Sequence, residues 1–353
     1  TNTMTTISIL FWVFLFVIFY SYIGYGIVLY IIVKIKRLFI KSTQSFSPEY
    51  LPEVTLMVAA YNEKDYIRQK IDNCLALDYP TEKLHIFFVT DGSDDGTPEI
   101  IAQYNRVKLF HQEGRAGKIS AVNRVMPMVQ SPITIFCDAN TMLNVEAIRK
   151  IVRHFQFLET GCVAGEKRIF NKEKESASGA GEGIYWKYES LLKKLDSELQ
   201  TVVGAAGELF ALRTALFEPT EKNAIIEDFV ISLRIAQKGY KVVYEPEAYA
   251  METSSENVKE ELKRKIRICA GGIQSVVWLK ALLNPFQYGW LSFQYISHRV
   301  LRWTITPLFL LLLMPLNIAL AANAGGIYTL ILLGQVVFYS SAFLGWYLQN
   351  RAI

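Results

Sequence analysis

The sequence predicts an α/β domain on a mixed, mainly parallel sheet, joined to transmembrane and interfacial helices. Three observations carry this. Short apolar runs alternate with stretches of helical period from Val54 to Asp138. Three segments of about the length a bilayer requires hold no charge. The apolar run Ile133-Thr134-Ile135-Phe136 ends in Cys137-Asp138-Ala139-Asn140, as a buried strand does when it delivers oxygen ligands to a cleft.

Of the 353 residues, 51% are hydrophobic, a high share for a fully soluble protein. The excess is local. Residues 1–33 hold no charge, and residues 303–350 are charge-free, broken at Asn323-Ala324-Gly325-Gly326 into 303–322 and 327–348. A bilayer core of ~30 Å is crossed by ~20 helical residues, so each segment can span it. The first lacks a basic leader and runs into Lys34, Lys36 and Arg37, which argues for an anchor over a cleaved signal. By the positive-inside rule those cations place the following side in the cytoplasm. Three crossings then put residues 323–326 outside and Arg351 inside, and make the middle section cytoplasmic.

The resulting division is a transmembrane helix with a basic flank over 1–40, a cytoplasmic domain over 41–254, interfacial helices over 255–302 and two transmembrane helices over 303–353. Cys74, Cys137, Cys162 and Cys269 form no CxxC pair and read as reduced thiols. Four scattered histidines give no zinc-ligand spacing, and no basic tract interleaves with aromatics as in nucleic-acid binders.

Within the middle section, Val54–Ala60 reads as a strand, followed by a helix with Asn62 as its cap and Ile67, Ile71, Cys74 and Leu75 on its apolar face. Residues 84–90 form the next strand and enter the turn at Asp91-Gly92-Ser93. Thr97-Pro98-Glu99 starts a helix, residues 107–111 form a third strand, and a loop through Gly117-Lys118 opens a helix to Met128. Residues 133–137 are the fourth strand. Asp91, Lys118 and Asp138 thus all fall at carboxyl ends of strands, where open α/β sheets bind ligands. Glu227-Asp228 opens an amphipathic helix that stops at Gly239.

Each of these groups also has an ordinary reading. Asp91 can satisfy turn amides, and Asp94 and Asp95 read as solvated turn residues. Lys118 can be a surface charge at a helix start, but the helix dipole disfavours a cation there, which favours contact with phosphates. Glu227 and Asp228 can simply complement a helix N-terminus. Carboxylate and amide oxygens at Asp138 and Asn140 suit Mg²⁺ or Mn²⁺. Residues 181–199, with Tyr185, Trp186, Tyr188 and Leu191, either line a groove or pack. Residues 276–283 and 288–302, mixing Trp, Phe, Tyr and Leu, fit membrane-interface helices, and the first fits a core helix covering the sheet nearly as well.

Taken together and in order, Ala60-Tyr61-Asn62-Glu63, Asp91-Gly92-Ser93, Gly117-Lys118 with Asn123, Asp138-Ala139-Asn140, Gly204-Ala205-Ala206-Gly207 and Glu227-Asp228 resemble the motifs of the inverting family 2 glycosyltransferases. The likeness is to their membrane-bound branch, with the cellulose, hyaluronan, chitin and poly-N-acetylglucosamine synthases, and covers about residues 54–302. It implies a GT-A fold and a UDP-sugar donor met by Ala60, Tyr61, Glu63, Asp91, Lys118 and Asp138. Mg²⁺ or Mn²⁺ would sit on Asp138 and Asn140, the amide replacing the more usual second acid. Asp228 would be the general base, Glu227 its helper, and Arg267 a counter-charge to the departing diphosphate. Gly207, Glu208, Arg264, Arg267 and Gln274 would face the acceptor. Polymerising members carry Gln-x-x-Arg-Trp where this chain has Arg264-Lys265-Ile266-Arg267-Ile268, so the expected stacking Trp is missing.

The function so implied is metal-dependent transfer to a β-linked exopolysaccharide or oligosaccharide in the cell membrane. Single addition to a lipid-linked acceptor is the alternative, and an inert nucleotide- or polymer-binding subunit a third. Export through three helices would call for an oligomer, a partner or further helices.

Overall fold

A computed structural model describes residues 2–40, 45–170, 177–253 and 258–351. The expected boundaries at 40/41 and 254/255 touch segments outside the described residues. The chain divides into two compact units: Thr1–Val28 with Ser297–Ile353, and Leu29–Ile296.

The chain opens with α1 (Asn2–Phe19), a π-helical turn at Tyr20–Gly24 and α2 (Tyr25–Phe39), continuous in helix and bearing the basic residues only in its last turns. The α/β unit then alternates β1 (Val54–Ala60), α3 (Lys64–Leu75), β2 (Leu84–Asp91), α4 (Thr97–Ile101), β3 (Val107–Gln112), α5 (Lys118–Val125) and β4 (Ile133–Asp138). These four strands are mutually parallel in the order β3-β2-β1-β4. Near-continuous apolar runs such as Val-Thr-Leu-Met-Val-Ala-Ala in β1 suit strands covered on both faces. Ile67, Ile71 and Cys74 of α3 pack with Val54, Leu56 and Val58 of β1.

The rest of the sheet is mixed. It comprises β5 (Thr141–Leu143), α6 (Ala147–Val152), β6 (Thr160–Phe170), α7 (Ala177–Leu199), β7 (Leu209–Arg213), α8 (Glu227–Gln237) and β8 (Lys241–Thr253). The full order is β3-β2-β1-β4-β7-β6-β8-β5, with β7 antiparallel to both neighbours, β6 parallel to β8, and β5 antiparallel to β8. Ala59 pairs with Asp138, so the carboxyl ends of β1 and β4 meet at one edge of the sheet.

Beyond the sheet come α9 (Val258–Trp278), α10 (Pro285–Tyr288) and α11 (Trp290–Tyr295), the second of them capped by the Asn284 carboxamide accepting from the Phe286 amide at 3.1 Å. A π-turn at Ile296–Val300 follows, then α12 (Leu301–Trp303), α13 (Ile305–Ala324) and α14 (Ile327–Arg351). The aromatic stretch 276–302 is therefore several short helices. Thr3–Phe39, Ile305–Ala324 and Ile327–Gly345 are each long and apolar enough to cross a membrane.

In the helical unit Phe11 is buried with Leu313 and Leu320, and Phe14 stacks on Phe309 at 3.9 Å. Its polar groups answer one another: Ser21 Oγ lies 2.7 Å from Thr306 Oγ1, and Arg302 Nε donates to the Ser21 carbonyl at 2.9 Å. Internal pairing of this kind is what a lipid environment demands.

Candidate active site

The loops beyond β1 and β2 are knitted together by side chains. Asp91 Oδ2 accepts the amides of Ala116 and Gly117 at 2.7 and 2.6 Å, while its buried Oδ1 has no partner among the described residues. Gly92 has φ +69°, and a Cβ there would stand 2.6 Å from Arg115 Cβ, so the turn requires glycine. The Arg115 guanidinium lies over the Tyr61 ring at 3.8 Å.

Asn62 does not cap α3. It has φ +52°, and its carboxamide exchanges hydrogen bonds with Asp94, at 3.0 Å to the side chain and 3.1 Å from the backbone. Asp95 accepts from the amides of Lys64 and Thr97, both at 3.0 Å, and Thr97 Oγ1 accepts from the Glu63 amide at 3.0 Å. Asp94 and Asp95 are thus ties between two loops while remaining solvent-facing turn residues, Asp94 exposed and Asp95 partly so.

Lys118, the first residue of α5, joins the two halves of the sheet. Its Nζ lies 2.8 Å from Asp138 Oδ1 at the end of β4 and 3.0 Å from Glu227 Oε1 at the start of α8. Burial opposes its charge, but Asp138 and Glu227 outweigh that and hold the ammonium well above the usual lysine range. These carboxylates also offset the unfavourable helix-dipole position. Burial, and then the Glu227 carboxylate, push the Asp228 carboxyl up to about 7 against the pull of Lys118. The half-buried Glu63 carboxyl is likewise raised, by burial and then by Asp138 and Asp95.

The approach to Asp228 is fixed from three sides. Gly204 has φ +88°, and a Cβ there would fall 2.1 Å from the Phe229 ring. Ser232 Oγ accepts from the Ala205 amide at 2.9 Å and donates to the Asp228 carbonyl at 2.8 Å. A Cβ on Gly207 would lie 3.3 Å from Lys118 Nζ and 3.5 Å from Asp228 Oδ2, so this loop passes directly against both charged groups. Asn123 and Thr220 exchange two hydrogen bonds, and the Gln274 side chain grips residues 223 and 225 from α9.

Asp138 and Asn140 can hold a divalent cation. Asn140 is exposed, and Asp138 is 32% exposed with Oδ1 on Lys118. The described residues contain no group of three or more His, Cys, Asp or Glu placed for a metal. Two hard oxygens fit an ion that completes its shell with phosphate and water. The turn is braced from α3: the fully buried Lys70 donates to the Thr141 carbonyl at 2.6 Å, and Asn73 bonds Leu143 through both its amide atoms.

The structure therefore gathers Asp91, Lys118, Asp138, Gly207, Glu227 and Asp228. Ala60 closes β1 and is buried, and Tyr61 is exposed under Arg115. Glu208 bonds Lys167 Nζ at 2.6 Å. On α9, Arg264 is half-buried and Arg267 exposed. Lys70, Asn73, Lys167 and Ser232 carry no spacing signal that would have marked them in sequence.

A sequence model of the family described as glycosyltransferase like family 2 matches residues 52–271. The poly-β-1,6-N-acetyl-D-glucosamine synthase of Staphylococcus aureus is 30% identical over 235 residues, 63% of this chain and 55% of that protein. The β-monoglucosyldiacylglycerol synthase of Trichormus variabilis is 30% identical over 168 residues, 45% of this chain and 34% of that protein. The chain thus spans about half the length of the synthase it matches. Among solved structures, the mannosyltransferase PcManGT from Pyrobaculum calidifontis, in complex with GDP-Man and Mn²⁺, matches with a TM-score of 0.72 at 21% identity, over 93% of this chain and 92% of that one. That likeness bears on the fold, which is GT-A. With the family model covering well over half of its length, the chain belongs to the glycosyltransferase-like family 2.

Proposed function

We propose that the protein transfers a sugar with inversion from a UDP-sugar to a hydroxyl of a carbohydrate or lipid-linked acceptor, on the cytoplasmic face of the cell membrane. The observation that carries this reading is the bridge of Lys118 between Asp138 and Glu227, which sets a candidate donor site beside a carboxylate of raised pKa. The free Asp91 Oδ1 can accept an N–H of the base or a ribose hydroxyl. Asp138 and Asn140 would hold Mg²⁺ or Mn²⁺, which when bound supplies counter-charge to the diphosphate. Lys118, paired with Asp138, would meet the same phosphates.

In the transfer step the acceptor oxygen forms its bond to the anomeric carbon as the bond to diphosphate breaks on the opposite face. The hydroxyl proton passes to Asp228. A carboxyl near 7 is a stronger base than an ordinary carboxylate and is still substantially ionised at neutral pH, the match general-base catalysis favours. Glu227 helps by keeping that pKa up.

A β-linked polysaccharide acceptor is favoured by the relative that makes poly-N-acetylglucosamine, and a glycolipid by the relative named as a glucosyldiacylglycerol synthase. Incubation of the purified full chain with a panel of UDP-sugars and Mg²⁺ or Mn²⁺, followed by UDP release and product mass, tests the proposal. A polymer ladder or a single-sugar lipid identifies the acceptor class. No UDP release with any donor, acceptor and metal would overturn it.

A further inference from the structure

The sequence leaves the acceptor without its expected aromatic, because Ile268 stands at that position. The structure offers one elsewhere. Trp186 of α7 is half-buried, meets Tyr185 edge-on at 5.8 Å, and has Lys167 Nζ of β6 at 5.9 Å from its ring. Lys167 is only 4% exposed and is pinned by two carboxylates, Glu208 and Glu252. Burial of Glu208 is outweighed by Lys167, which keeps its carboxyl below the usual range and therefore ionised.

Both carboxylates lead back to the site. Glu208 follows Gly207, whose backbone lies against Asp228 and Lys118. Glu252 pairs in register with Thr141, the residue after Asn140. Lys167 thus ties the loop at Asp228 to the turn at Asp138, and the Trp186 ring stands beside that tie. The next turn of α7 is locked, because Ser190 donates to Glu166 at 2.5 Å and Glu166 also binds the Tyr244 hydroxyl. The ring is therefore carried on a fixed helix.

An aromatic ring next to carboxylates paired with a buried lysine suits a pyranose, whose C–H face is apolar and whose rim carries hydroxyl donors. We infer that Trp186, with Glu208 and Glu252 held by Lys167, forms the acceptor subsite and stacks the terminal sugar of a carbohydrate acceptor. This rests on the transferase reading and names the surface that would present the attacking hydroxyl to Asp228.

The test uses the full chain in detergent, with β-linked tetraoses of glucose and of N-acetylglucosamine as probes. Wild type should bind at least one of them saturably in calorimetric titration. Trp186→Ala should abolish that binding, and Trp186→Tyr should retain it within ~5-fold. In turnover, Trp186→Ala should raise the acceptor KM at least ~10-fold while the donor KM and the slow hydrolysis of donor by water stay within ~2-fold. An unchanged calorimetric affinity for tetraose in Trp186→Ala, a donor KM that shifts in parallel, or a wild type that binds UDP but neither tetraose would each overturn the subsite. A protein that binds tetraose through Trp186 yet releases no UDP from any donor would uphold the subsite and defeat the transferase reading instead. Retained activity in Trp186→Tyr distinguishes loss of stacking from loss of fold.

Discussion

Gln274 holds Ile225 from the far side of the loop that precedes the Glu227-Asp228 pair. Its carboxamide oxygen accepts the Ile225 amide at 3.1 Å, and its nitrogen returns a hydrogen bond to the Asn223 carbonyl at 3.0 Å. Gly271, one turn earlier, lets α9 approach so closely that a Cβ would lie 3.0 Å from both Ile225 and Ile226. A residue placed by sequence among acceptor contacts thus has both amide atoms engaged in shaping the entry to α8. Gln274→Ala should lower kcat several-fold with little change in the KM for donor, because it leaves two backbone groups unanswered near the base. Steady-state kinetics check this, and a selective rise in donor KM would contradict it.

Replacing Asp228 with Asn should reduce transfer by at least ~10², the low end for removal of a general base, with UDP affinity nearly unchanged. Glu227→Gln should be milder. If Glu227→Gln proves the severe variant, the two acids have exchanged roles.

The pH profile separates the same pair. A base works when ionised, so kcat/KM should rise with pH through a limb near 7, set by Asp228. Glu227 is one of the causes of that elevation, so Glu227→Gln should move the limb toward lower pH. A limb that stays in place would show that the two carboxylates do not sense each other.

Asp138→Ala should abolish metal-dependent turnover, because the diphosphate would lose its anchored counter-charge. Asn140→Asp should remain active and bind Mn²⁺ at least as tightly, having restored an acid at similar reach. Titration of metal-dependent activity checks both variants.

Glu245 lies almost fully buried, with Arg153 Nη2 at 2.5 Å and His154 Nε2 at 2.7 Å. Burial alone would raise its pKa, yet the bond from His154, the Glu247 amide and Arg153 together keep it below the ordinary value. A carboxyl depressed in the fold stabilises above its unfolded pKa, and that contribution fades as pH falls through the folded value. Wild type should therefore lose melting temperature on acidification below about pH 4.5, the ordinary glutamate value. Glu245→Gln should be less stable at pH 7, by about 3–5 kcal/mol for a broken buried pair, and flatter in acid.

The strands at β1, β2, β3 and β4 were readable because each is a compact apolar run closed by a turn, and Asp91 and Asp138 stand at their ends. The three charge-free segments were readable by length. The mixed half was not. Strand β6 carries Gly161, Gly165, Glu166, Lys167 and Arg168, a composition that obscures any alternation and takes its sense from β7 and β8. The Asn62 cap failed because its carboxamide met Asp94, across a loop that local spacing does not describe. Lys118 shows the same limit: its contact with Glu227 joins residues 109 positions apart.

The insertion of β7 between β4 and β6 sets an order of events during synthesis. Residues 54–138 complete a four-stranded parallel block, with Asp91 and Asp138 already at its edge, before β7 exists to extend it. At about 5–20 residues per second, the 90 residues separating Asp138 from Asp228 take roughly 5–20 s to emerge. Over that interval a nascent chain has the strand ends proposed to meet the nucleotide and lacks the carboxylate proposed to accept the proton. On the proposed mechanism, a donor captured early would thus meet no base, and transfer would await the emergence of α8.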